Sequence, residues 1–172
     1  IEYMRRRTDW NKVVDNIHLC TKYDNAVVDF NGLISFLSVL RFYEVIDWCK
    51  ENPVIDQLNW AHLENPVHLR PNNLPEELNK NLIPKYQDWP DILHAIDRPA
   101  DEGVDIQDVF EYLLLQDKYY EGTKWEMHLF DVFPELLPYY KPKPITEERR
   151  KLIESWGKNV DEIEQAADEM LL

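Results

Sequence analysis

Little in this 172-residue chain suits it to the commoner chemistries, and each shortage excludes something. It has two cysteines, Cys20 and Cys49, too few for a disulfide framework, so a cytoplasmic setting is expected and each thiol reads as a small buried hydrophobe. Its four glycines (Gly32, Gly103, Gly122 and Gly157) are all isolated, which rules out a Gly-rich loop cradling phosphate. Basic residues are scarce: 19 Lys and Arg against 33 Asp and Glu leave a net charge of −14. Such a surface repels phosphate backbones and anionic lipid, so neither nucleic acid nor membrane is an expected partner. No apolar run reaches membrane-spanning length, and no signal-peptide pattern opens the chain. The first residue is Ile1 rather than Met, and further residues upstream are expected.

What is present is enough for one real core with a small appendage. Hydrophobic residues make up 44% and charged residues 30%, the balance of a folded chain, and aromatics reach 12%. Trp10, Val13, Val14 and Ile17 recur at helical spacing over 8–19, with Thr8 or Asp9 as N-cap. The run from Val27 to Leu37 is apolar on both faces along much of its length and predicts a strand buried on both sides, with Gly32 marking a bulge or a close approach by another backbone. Arg41 to Asn52 predicts a helix that stops at Pro53, and Ile55 to Leu63 a second strand. Strand, helix, strand in so short a span is a parallel crossover unit, and the fold class expected is α/β.

Beyond Pro66 prolines punctuate short segments. Helices are predicted over 76–83, 105–120 and 123–132, and a stiff Pro-rich connector over 138–144. A helix over 145–172 carries a seam of Ile153, Trp156, Val160, Ile163, Ala167 and Met170. The organisation expected is an α/β segment over 1–70, its helical tail over 71–137, the connector, and the C-terminal helix.

Several segments, in order, carry a likeness to a known family. Ile34-Ser-Phe-Leu-Ser-Val-Leu-Arg-Phe-Tyr-Glu-Val-Ile-Asp-Trp48 resembles the strand-to-helix passage late in radical S-adenosylmethionine (radical SAM) barrels. Tyr3-Met-Arg5, Trp10-Asn-Lys-Val13 and Asn16-Ile-His-Leu19 are similar to the segment before it. Asn65-Pro-Val-His-Leu69 with Asn73-Leu-Pro75 is similar to the exit from the next strand, and Phe133-Pro-Glu-Leu136 to the ending of phage and marine members with a twitch-type tail. The likeness spans residues 1 to about 136; Ser38 stands where the family has Asn, and Tyr43 where Pro is common. It implies a partial (β/α)6 barrel whose other half binds a 4Fe–4S cluster and S-adenosylmethionine. The Cys-x3-Cys-x2-Cys triplet that holds the cluster is absent, so no cofactor is expected in this chain alone, nor catalysis by it alone.

In open α/β sheets and barrels, ligands sit beyond the carboxyl ends of the strands. That points to Ser35, Ser38, Asn59 and His62 as cofactor-binding residues. The plainer alternative is that Ser38 caps the following helix and His62 is an interior histidine. His62, Glu64 and His68 lack metal-ligand spacing, so no metal site is assigned. Asp101, Glu102 and Asp105, like Glu147 and Glu148, stand at predicted helix starts, where carboxylates complement the dipole. Two functional readings follow: a radical SAM-like half-barrel fragment, or an acidic, non-enzymatic protein-interaction module with a small α/β core. Either way a homodimer, or another protein that completes the fold, is the expected partner, because a half-barrel leaves a strand unpaired.

Overall fold

The apolar run from Val27 to Leu37 divides into two structures with different jobs. In the computed structural model, which describes residues 2–142, only Asp29–Ile34 forms a strand, β1. Phe36 and Leu37 lie in the buried turn that follows, and Val27, 70% exposed, stands outside the strand. The second strand, β2, is Gln57–His62. The two pair in parallel, with Asp29 opposite Gln57 and Ile34 opposite His62. Between them α2 (Phe42–Glu51) makes the crossover that parallel neighbours require. The expected α/β class and the parallel pairing are both present: the fold is mixed α/β with a two-stranded parallel sheet.

The expectation that the first strand is buried on both sides is corrected. Asp29, Asn31 and Leu33 are exposed, as are Gln57, Asn59 and Ala61 of β2, while the alternate residues turn inward. Side chains alternate between the faces of a strand, so this is a sheet covered on one side. The sequence mixed two signals: an alternating strand, and a buried turn whose Phe36 and Val39 are inaccessible to solvent.

The covered face is built on aromatic rings. Trp60 of β2 meets Phe42 of α2 at 6.5 Å between centroids and Trp89 at 5.1 Å, both edge-on. Such pairs add about 1 kcal/mol to the area they bury. Gly32, opposite Trp60, permits this stack, since a Cβ there would lie 2.4 Å from Cε2 of Phe42. The close approach at Gly32 is therefore made by a ring, and not by the backbone that the sequence led us to expect.

Around this unit the helices follow their caps. Helix α1 (Trp10–Cys20) is capped by Asp9, which accepts from the Lys12 amide, and Trp10 packs edge-on against Trp48 at 5.2 Å. Helix α3 is Glu76–Leu82. Helix α4 (Pro90–Asp97) went unrecognised in the sequence: Pro90 opens it at the first helical position, and Ile92, Ala95 and Ile96 are buried. Helix α5 (Ile106–Tyr120), capped by Asp105, buries Val109, Phe110 and Leu113, with Phe110 meeting Phe36 at 6.3 Å. The helix expected over 123–132 is confined to α6, Leu129–Val132. No helix among the described residues is long and apolar enough to cross a membrane.

The chain divides into two compact units, Ile1–Leu137 and Pro138–Leu172. The helix expected over 145–172, with its seam from Ile153 to Met170, lies outside the described residues.

Gly32→Ala tests the aromatic stack. Phe42 is only 4% exposed, so its ring has no open direction in which to yield. We expect a loss of about 1–3 kcal/mol in urea unfolding, the usual cost of overpacking. Adding Phe42→Leu to Gly32→Ala makes room for the new methyl and recovers part of that loss. An unchanged denaturation midpoint for Gly32→Ala would refute the assignment.

Candidate functional site

The carboxyl ends of β1 and β2 lie side by side. The Leu63 amide donates to the Ile34 carbonyl at 2.8 Å, and the Phe36 amide donates to the Leu69 carbonyl at 2.7 Å. Three of the four residues singled out in the sequence gather here: Ser35 and Ser38 after β1, and His62 at the end of β2. Asn59 does not join them. It sits in mid-strand beside Asn31 on the exposed face, opposite to the face that carries His62.

The two serines are engaged with one another and with the backbone. Ser38 Oγ accepts from the Ser35 amide at 2.7 Å and donates to the Leu33 carbonyl at 2.6 Å. Ser35 Oγ accepts from the Ser38 amide at 3.3 Å. This hydroxyl turn is the local alternative that Ser offers to a strand, and it ends β1. It is not the cap of α2 that the plainer reading gave Ser38: Arg41 precedes that helix without a side-chain cap. With its hydroxyl so committed, Ser38 is poorly placed to act on a ligand. His62 differs, for its Nε2 is buried without a hydrogen-bond partner. The Nε2 of His68, whose ring packs edge-on against Tyr112 at 5.1 Å, is in the same condition.

Three buried polar knots escaped the sequence reading. In the first, Asn73 Nδ2 donates to the Val67 carbonyl and to Asp101 Oδ2, while its Oδ1 accepts from the Asp101 amide at 2.8 Å. Asn72 donates to the same carboxylate at 3.2 Å, and Arg70 pairs with it at 2.9 Å. Partial burial works to raise the pKa of Asp101, but the hydrogen bonds from Asn72, Asn73 and Arg70 and the charge of Arg70 outweigh it, leaving the carboxyl below its ordinary value. Asp101 is thus a receptor for the loop after β2 rather than a helix-dipole partner. In the second knot, Tyr86, fully buried, donates to the Val39 carbonyl at 2.5 Å and accepts from the Tyr43 amide at 3.0 Å. In the third, Asp117 of α5 accepts from Tyr3 Oη at 2.7 Å, from Arg6 Nη2 at 2.5 Å and from the Leu129 amide at 2.5 Å. Burial, then the charge of Asp117 and the hydrogen bond to it, push the Tyr3 hydroxyl far up, so it remains a donor. One signal in the sequence marked Asp117: it extends the apolar stripe of α5 by one turn beyond Leu113, where a carboxylate needs a buried partner.

The two thiols sit on different helices. Cys20, half-buried on α1, donates to the Asn16 carbonyl at 3.4 Å, whereas Cys49 is buried on α2 with its pKa pushed up by burial. Among the described residues no group of three or more His, Cys, Asp or Glu is arranged to hold a metal ion. No protein-family model matches the chain, and no curated protein or solved structure matches it.

Asp101 generates a pH test. A carboxyl whose folded pKa is lowered adds stability that is complete above the ordinary value of 3.8 and is lost as pH falls through the lower folded value. Asp101→Asn should cost about 2 kcal/mol at neutral pH, and the gap from wild type should narrow as pH falls below 3.8. A gap in melting temperature that stays constant down to acid pH would refute the role of its charge.

Proposed function

We propose that this chain is a non-catalytic protein-interaction module that binds a second copy of itself through the open face of its two-stranded sheet. One observation carries the proposal: β1 and β2 pair in parallel, yet Asp29, Asn31, Leu33, Gln57, Asn59 and Ala61 remain exposed on one face. Parallel sheets are ordinarily covered on both faces. Each strand also has a neighbour on one edge only among the described residues, and an unpaired edge is a template for another chain.

Charge leaves the open face available to a second copy. With a net charge of −14, two copies repel wherever acidic surface meets acidic surface. The open face holds one charged residue, Asp29, at its end, so contact made there meets little repulsion. At physiological salt the screening length is about 8 Å, short enough for a mostly uncharged contact to prevail. The engagement of Ser35 and Ser38 with one another and with the backbone favours binding over catalysis.

A second reading keeps the resemblance to radical SAM barrels. It is favoured by the β1–α2–β2 crossover with Ser35, Ser38 and His62 at neighbouring strand ends, where ligands of such folds sit. In that reading the partner supplies the missing barrel strands, and S-adenosylmethionine and the 4Fe–4S cluster belong to the partner's half.

Two measurements test the proposal. Light scattering at tens of micromolar should give a mass approaching twice the 20.7 kDa of one chain. Leu33→Lys with Asn59→Lys should return it to one chain while shifting stability by no more than about 0.5 kcal/mol, as exposed substitutions do. A wild-type chain that stays monomeric would refute self-association. After anaerobic reconstitution with iron and sulfide, the isolated chain should hold no stoichiometric cluster; visible cluster absorbance would overturn the non-catalytic reading.

A further inference from the structure

Arg5, Arg6 and Arg7 stand together in a chain whose acidic residues outnumber its basic ones by 33 to 19. Arg6 is spent on the fold. Its side chain is 6% exposed, it pairs with Asp117, and its Nη1 donates to the carbonyls of Trp125 at 3.1 Å and Met127 at 2.9 Å. Those bonds hold the segment before α1 against the loop before α6. Between the two remains a cleft of about 190 Å³, with Arg7 on one side, Lys124 on the other, and Trp125 and Met127 in its wall.

The charges in this cleft are unevenly committed. Its two carboxylates serve α1: Glu2 accepts from the Trp10 amide at 2.8 Å, and Asp9 accepts from the Lys12 amide and pairs with Lys12 at 3.5 Å. Arg7 and Lys124 have no carboxylate partner among the described residues; Lys124 lies over the Trp125 ring, 4.7 Å from its centroid. Arg7 also takes a left-handed backbone conformation, φ 74°, the only non-glycine among the described residues to do so. Glycine or asparagine would occupy that position at less cost. A backbone held at a disfavoured angle, with a long cation at the mouth of a cleft, suits a side chain kept for what it contacts.

We propose that this cleft binds a small organic phosphate of the phosphate-monoester class. Two cations delivered by separate segments match a dianion better than a single carboxylate. The wall formed by Trp125 and Met127 faces the organic part. The volume suits the assignment, since a cavity of roughly 150 Å³ accommodates a benzene ring. The site is remote in sequence from the sheet face and independent of self-association.

Calorimetric titration of the full chain with phenyl phosphate, inorganic phosphate and benzoate, at fixed ionic strength, tests it. Phenyl phosphate should bind saturably and more tightly than either of the others. Arg7→Gly and Lys124→Gln should each weaken it by about tenfold, the loss of one charge-assisted contact. Arg7→Gly should melt no lower than wild type, because glycine fits the left-handed angle, so weakened binding in that variant reports on the side chain and not on folding. Absence of saturable binding, or affinity within about twofold of wild type in both variants, would overturn the proposal. Equal affinity for inorganic phosphate would overturn the role of Trp125 and Met127.

Discussion

Two parallel strands can be neighbours only if the chain returns to the same end of the sheet between them, and here α2 makes that return. The crossover has to land tightly enough to bury the faces of β1 and β2 that turn inward. It does so by setting the Phe42 ring over the bare backbone of Gly32, beside Trp60. Everything that follows depends on that seating. It fixes Val39, whose carbonyl accepts from the Tyr86 hydroxyl, and Tyr43, whose amide donates to it, and it presents Phe36 to Phe110 of α5. A side chain at position 32 would lift the helix, and with it the anchor for the segments that come later in the chain.

A sheet of two strands offers little surface on which long connections can settle, and buried polar knots do that work here. Asn72, Asn73 and Arg70 bind Asp101 and so tie the loop after β2 to the segment after α4. Asp117 ties Tyr3 and Arg6, near the start of the chain, to the backbone at Leu129. Each carboxylate is met by several donors, the condition under which a buried charge is tolerated. Satisfied networks of this kind specify one arrangement more sharply than apolar contacts do, because any slip leaves a charge unpaired. The perturbed carboxyl of Asp101 and hydroxyl of Tyr3 are therefore explained by architecture, without recourse to catalysis.

What the sequence disclosed tracks the range of the interactions involved. The elements α1, α2, α5, β1 and β2 were legible because local periodicity and caps such as Asp9 and Asp105 define them. Burial was less so: Val27 to Leu37 reads as apolar on both faces along much of its length, and only the register against Gln57–His62 separates exposed Leu33 from inaccessible Ile34. Helix α4 was hidden by its own starting proline, taken as punctuation. Ser35, Ser38 and His62 do stand at neighbouring strand ends, but the serines' engagement with each other was not visible from their spacing. The Asp101 and Asp117 knots join residues far apart in the chain: the stripe of α5 marks Asp117 as buried, but no local pattern names its partners.

The distribution of charge links the two surfaces on which function is proposed. A chain with a net charge of −14 is driven from acidic partners at long range, so recognition of them falls to places where acidity is locally sparse or offset by cations. The open sheet face is one, neutral apart from Asp29. The cleft beside Arg7 and Lys124 is the other, its carboxylates engaged with the amides of α1 and its cations left without a counter-ion among the described residues. The two respond to salt in opposite senses. Screening weakens the repulsion between whole copies and so favours contact through the sheet face, while it weakens the attraction of two surface cations for an anion in the cleft. Apolar contact and local charge thus act at different places on one acidic surface, and ionic strength shifts the balance between them.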